Sequence, residues 1–293
     1  MDDIRAIDCL NFPHYVDPDL AVKILQYDEF KIVFETSFKA MGVVSPEALR
    51  ARSLKSVDQM VAEMDEAGYD YVVMSDYKQW SYRRHFTLIM DYPVDLVNKL
   101  REQGKGRVIG SASYNPFRIE ESLRDIDRAV KQYGFKCVYF HPITFGLAPN
   151  DRQSYPLYGK CVELGIPVGF QVGHSAEILP SEVGRPMYAD QVAIDFPNLK
   201  IILSHTGWPW LDEWMSMLIR HPNVYGDTAG YYPRAFDPRL VEFMNGRGQD
   251  KILFGTNGFG LKDLKKQFME LPLKDKVKQK ILRENARKVL NLT

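Results

Sequence analysis

Eight apolar runs at fairly even spacing, each followed by a stretch of helical period, constrain this chain more than any other feature. The runs are AIDCLNF (6–12), YDYVVMSD (69–76), RVIGSASY (107–114), FKCVYFHP (135–142), IPVGFQVG (166–173), LKIILSHTG (199–207), NVYGDTAG (223–230) and KILFGTNG (251–258). Most are continuous rather than alternating, as parallel strands covered by helices are. Between them, 56–67 gathers Val57, Met60, Val61 and Met64 on one stripe, and Gly68 stands where that helix would end. Pro93 opens a second helical segment, 93–103, with Val94, Val97 and Leu100 on one side. Segments 119–133, 155–164 and 210–219 follow the same logic, and 274–290 aligns Val277, Ile281, Ala286 and Val289. Strand–helix alternation repeated eight times predicts an α/β fold, a (β/α)8 TIM barrel.

The chain has 293 residues and 45% hydrophobic content, enough for one barrel core, and no linker or low-complexity tract divides it. A single domain over 1–293 is therefore expected. One segment breaks the rhythm: 13–55 separates the first strand from its helix. An insertion of that length at a barrel mouth reads as a lid or a dimer contact, and Tyr15, Tyr27, Phe30, Phe34 and Phe38 argue that it is ordered.

Charge narrows the partners. Lys+Arg and Asp+Glu both number 38, so the net charge is zero, which disfavours nucleic acid. No apolar run reaches membrane-span length, and MDDIRAIDCLN lacks the layout of a signal peptide. Cys9, Cys137 and Cys161 form no C-x-x-C pair and read as reduced thiols. The expectation is a cytoplasmic protein acting on a small molecule.

In such a barrel the chemistry sits where strands end at their C-terminal side. Those ends carry Asp8, Leu10, Phe12, Asp76, Lys78, Ser113, Asn115, His141, Gln171, His174, His205, Asp227, Thr228 and Asn257. His141 precedes Pro142, which favours extended backbone there. Arg83 and Arg84 lie after the second strand beside Trp80 and Tyr82, Arg185 after the fifth, and Arg234 after the seventh. A guanidinium beside aromatic rings suits a carboxylated ring, so all four are candidate substrate anchors. Trp208, Trp210, Tyr231 and Tyr232 would wall an aromatic pocket, or pack helices against the barrel.

The stretches FHPITFGLAPNDRQSYPLYGKCVELGIPVGFQVGHS, DFPNLKIILSHTGWPW, NVYGDTAG, KILFGTNGF and ENARKVLNL together make the chain resemble the amidohydrolase superfamily. The resemblance is to the amidohydrolase-2 branch, which holds aminocarboxymuconate-semialdehyde decarboxylase and related aromatic-acid decarboxylases. It covers nearly the whole chain. Relatives of that kind hold a divalent metal with H-x-H on the first strand, His on the fifth and Asp on the eighth. The corresponding residues here are Leu10, Phe12, Gln171 and Asn257. Leu and Phe have no donor atom, and the amides offer only neutral oxygens, so no metal and no other cofactor is expected there.

His205 matches the family's acid/base histidine on the sixth strand. With no cation beside it, it is expected to titrate near neutrality and shuttle a proton. His174 and Asp227 are further catalytic candidates, with Asp227 orienting His205 or a substrate hydroxyl or serving only as a satisfied buried carboxylate. Gln171 and Asn257 can donate to a carbonyl or developing oxyanion, and His141 can present its ring to the pocket. The resulting expectation is a metal-independent hydrolase of an activated cyclic carbonyl compound, a lactone or cyclic diketone that is also carboxylated. The family resemblance also implies a homodimer. The alternatives are a metal-independent lyase on a similar acid (decarboxylase, hydratase or dehydratase), a non-catalytic binding barrel, and a relocated metal site drawing on Cys9, His141, His174 or His205.

Overall fold

Every one of the eight apolar runs becomes a parallel strand in the computed structural model, which describes residues 4–33, 35, 36, 39, 43 and 45–292. In chain order the strands are β1 (Ala6–Asn11), β2 (Tyr69–Ser75), β3 (Tyr77–Trp80), β4 (Leu88–Tyr92), β5 (Val108–Ala112), β6 (Cys137–Phe140), β7 (Val168–Gln171), β8 (Ile201–Ser204), β9 (Val224–Asp227) and β10 (Ile252–Leu253). Eight of them form one sheet in the order β1-β2-β5-β6-β7-β8-β9-β10. Two main-chain bonds bring its ends together: Cys9 N–H to Phe254 O (3.0 Å) and Asn257 N–H to Leu10 O (2.9 Å). The chain is a TIM barrel.

Side chains alternate between the outer helix layer and the barrel interior. Val73, Ile109 and Cys137 pack inside with Leu290, and Ile7, Ile202, Tyr225 and Leu253 pack with Ala286 and Val289, so the C-terminal helix plugs the bottom. The same alternation carries Tyr139, Gln171, Ser204 and Asp227 to the top of the interior. The helix expected over 274–290 is interrupted by a π-turn at Lys280–Glu284. The interruption has a tertiary cause: Ile281 O accepts the Phe254 N–H at 3.1 Å, and Asn285 Nδ2 donates to Ile252 O at 2.7 Å.

Two features outside the barrel repeat shape the mouth. The insertion forms short helices at Pro18–Lys23, Asp28–Val33 and Pro46–Arg52. Asp17 caps the first by accepting from Asp19 N (3.0 Å), and Ser45 caps the last by accepting from Ala48 N (3.1 Å). Phe34 and Phe38 lie outside the described residues. The second feature, missed from sequence, is the antiparallel β3–β4 hairpin. It turns Tyr77 and Met90 inward and throws Arg83 and Arg84 onto its exposed tip. Buried Glu29 fastens these pieces: its carboxylate accepts the Ser81 hydroxyl at the hairpin, and its carbonyl accepts Ile178 N at 3.2 Å.

Candidate active site

A cavity of about 340 Å³ opens at the C-terminal end of the barrel strands. The insertion roofs it with Ile24, Phe30 and Val33; Phe12, Tyr77, Tyr139, Trp208, Tyr231 and Phe259 wall it. Its polar lining is His14, Gln171, His174, Ser175, Glu177, His205 and Asn257.

His205 follows β8 at φ +77°, a conformation costly for a branched or bulky residue. Asp227 holds it there. Its carboxylate accepts the His205 N–H at 3.2 Å, the Ala229 N–H at 2.9 Å and the Ser204 hydroxyl. Asp227 thus orients the backbone beneath the histidine, not the imidazole, and does not line the cavity. Burial pushes its carboxyl up to about 6, against those hydrogen bonds. Gly230 seats the ring from the other side: a Cβ there would lie 2.4 Å from His205 Cδ2. The expectation that His205 titrates near neutrality is corrected. Burial, reinforced by the nearby His141 and opposed by Glu177 and Asn257, lowers it to about 3. Removing the metal does not restore an ordinary pKa, because desolvation alone disfavours the imidazolium. The ring is neutral at neutral pH, and its Nδ1 is buried without a partner among the described residues.

Gln171 ends β7 and accepts the Tyr139 hydroxyl at 3.0 Å through Oε1. That leaves its NH2 to donate into the cavity. Asn257, after β10, is anchored by its own N–H to Leu10 O, and its Oδ1 is buried and unpartnered among the described residues. Leu10 and Phe12 are buried in the cluster that also holds Tyr77 and Tyr139. Phe12 packs edge-on against both, with centroids 5.0 and 5.7 Å away. Two hydrocarbons and two neutral amides do not fit a divalent ion. Among the described residues no cluster of three or more His, Cys, Asp or Glu is placed to hold one. Below them, Asp8 is buried and fully engaged, accepting from Thr256 N (2.7 Å), Thr256 Oγ1 (2.6 Å) and Asn11 Nδ2 (3.0 Å).

The remaining candidates divide. His174 stands exposed at the rim, edge-on to Trp208 with centroids 5.1 Å apart; Trp208 itself is 53% exposed. His141 is buried and does not line the cavity; its Nε2 lies 3.7 Å from Glu177 Oε2 and 3.4 Å from Ser175 Oγ. The four arginines do not reach the cavity, which corrects their reading as carboxylate anchors. Arg84 pairs with Asp28 at 2.9 Å and Arg83 is exposed beside it. Arg185 pairs with Glu213 beside the Trp210 ring, and exposed Arg234 lies over Tyr232. Long cationic side chains of this kind keep their heads toward water.

Sequence reasoning missed Tyr77, Tyr139 and Glu177 as site residues. Strand parity was a signal for Tyr139, which shares the inward face with Cys137. Tyr77 depends on the hairpin, and Glu177 sits in a loop without period. Burial opposes the charge on Glu177, but the His141 imidazole and the Ser175 hydroxyl outweigh it and hold the carboxyl below its ordinary value.

A family model described as Amidohydrolase (Amidohydro_2) matches residues 47–292. A curated relative, 2-keto-4-carboxy-3-hexenedioate hydratase from Sphingobium sp., is 25% identical over 212 residues. That match takes in 58% of this chain and 61% of the relative, so the chain spans less than two thirds of the relative's length. Among solved structures, an uncharacterised TIM-barrel protein from Bordetella bronchiseptica matches with a TM-score of 0.77 at 24% identity, over 98% of this chain and 99% of that one. 5-Carboxyvanillate decarboxylase from Sphingomonas paucimobilis matches with a TM-score of 0.69 at 16% identity, over 99% and 100% of the two chains. A 2,6-dihydroxybenzoate decarboxylase from Rhizobium matches with a TM-score of 0.67 at 16% identity, over 100% and 99%. These structural likenesses establish the fold.

Proposed function

The chain belongs to the amidohydrolase-2 family of enzymes, and from that premise we propose that it is a lyase. It adds or removes a small molecule, water or carbon dioxide, at a carbon next to a carbonyl on a cyclic substrate. The observation that carries this reading is His205. It is a neutral, buried imidazole lining an aromatic cavity beside the amides of Gln171 and Asn257.

The Gln171 NH2 donates to the substrate carbonyl. As the neighbouring C–H bond breaks, its electron pair moves onto that oxygen, and the amide holds the developing charge; one such donor is worth about 3 kcal/mol. The proton goes to His205. Burial disfavours the imidazolium, and the oxyanion forming beside it offsets that cost. The proton then passes to the leaving hydroxyl, which departs as water; the reverse sequence hydrates a double bond. In a decarboxylation the carboxyl carbon leaves as carbon dioxide, its bonding pair stays on the ring carbon, and a proton carried through His205 closes that position. No step runs through a metal, since the donor set does not fit one.

The names of the relatives, a hydratase and decarboxylases, support a lyase over hydrolysis of a lactone or cyclic diketone. Residues 13–55 serve as the lid, with Ile24, Phe30 and Val33 lining the cavity from above. The test is product analysis in 18O-labelled water with cyclic hydroxy ketones and hydroxylated ring acids. Release of carbon dioxide, or hydration and dehydration without ring opening, supports the reading; ring opening with label in a new carboxylate refutes it. Replacing His205 with Asn lowers turnover by about 10²–10⁴-fold if the imidazole moves the proton.

A further inference from the structure

The charge of the cavity names the end of the substrate that enters it. Among the described residues no lysine or arginine lines this cavity, and Glu177 is the one carboxylate that does; Arg52, Glu63 and Asp263 line the adjoining pocket, which shares His14, Ile24, Asn257 and Phe259 with it. Its side chain is 7% exposed and is held in place by the Ser175 hydroxyl and by His141 Nε2 at 3.7 Å. The Tyr77 and Tyr139 rings share the cavity wall with it, so the carboxylate borders a largely aromatic space. An anion entering there meets a like charge at low dielectric with no lysine or arginine in the cavity to offset it. A hydroxyl or N–H meets a strong, fixed acceptor.

We propose that Glu177 is the specificity-determining residue of this mouth, accepting a hydrogen bond from an uncharged, phenol- or enol-type head group and rejecting a free carboxylate at that position. The inference rests on the proposed use of the same cavity, and it narrows the substrates to hydroxylated carbonyl compounds whose group beside Glu177 is uncharged. The downward shift of the Glu177 carboxyl, caused by His141 and Ser175 against its burial, agrees with a group kept ionised for that purpose.

The test uses two probes that share a ring and a ketone, 3-hydroxyacetophenone and 3-acetylbenzoate, titrated calorimetrically into the whole protein at neutral pH. The wild type is expected to bind the hydroxyl probe at least about tenfold more tightly than the carboxylate probe. Glu177→Gln, its fold checked by near-ultraviolet circular dichroism, is expected to bring the two within about threefold, mainly by gaining affinity for the carboxylate. Glu177→Asp keeps the charge and is expected to keep rejecting the carboxylate. Equal or tighter binding of 3-acetylbenzoate by the wild type overturns the proposal, as does a preference that Glu177→Gln leaves unchanged, or binding of neither probe. The wild-type ratio decides the matter even if the glutamine variant does not fold. None of these failures touches the lyase reading, which stands or falls on products and on His205→Asn.

Discussion

At the scale of single residues, burial governs the chemistry more than identity does. His205 keeps the position of a family acid/base, yet its surroundings lower it from 6.5 to about 3. An unfolded chain would carry the imidazole near its ordinary value, so between those two limits the unfolded state binds more protons. The stability that this site contributes is fully present above about 6.5 and is lost as pH falls toward 3. Wild type is therefore expected to lose stability relative to His205→Asn as the solution is acidified from 6.5, by up to about 1.4 kcal/mol per pH unit. Parallel pH series of thermal melts on the two proteins would show this, and parallel curves would refute it. Gly230 gives a second prediction. Its φ is +81°, and a methyl group there would meet the His205 ring. Gly230→Ala is expected to cost about 1–3 kcal/mol and to reduce turnover far more than substrate affinity, read as kcat against KM and as a denaturant midpoint.

At the scale of elements, the mouth is assembled from pieces outside the eightfold repeat. The insertion helix Asp28–Val33, the β3–β4 hairpin and the 174–179 loop meet at Glu29, through Ser81 and Ile178 N. The Glu29 carboxylate joins the insertion helix to the hairpin only while Ser81 stays engaged, and its main-chain carbonyl holds the loop. Glu29→Ala removes the Ser81 bond and keeps the main-chain bond to Ile178, so it is expected to cost about 1–3 kcal/mol, with faster amide exchange confined to residues 18–33 and the hairpin. Uniformly faster exchange across the barrel strands would show instead that Glu29 supports the whole fold. The same elements decide which candidates meet. They bring Tyr77 and Met90 to the cavity and leave Arg83 and Arg84 at the hairpin tip, so the arginine-and-aromatic motif on that segment was misleading.

At the scale of the whole molecule, a barrel whose donor set does not fit a metal should behave as a metal-free enzyme. Exhaustive chelation is expected to leave turnover and melting temperature unchanged, and added zinc is expected to raise neither; a chelator-sensitive activity restored by zinc would sink that expectation. The barrel was legible from the chain alone because its cause is periodic: eight continuous apolar runs between helical stripes admit few other packings. Tyr139 and Gln171 were within reach of the same logic, since strand parity and strand ends fix which side chains point into the mouth. The π-turn at Lys280–Glu284, the hairpin and the placement of Glu177 were not, because each depends on partners far away in sequence. The sequence determined the architecture and the absence of ligating side chains at four strand ends, both of which are local properties of spacing and residue type. Only the tertiary structure decided the charge of the mouth and the protonation of His205, because desolvation and the turning away of four arginines are properties of enclosed space, which no single segment encodes.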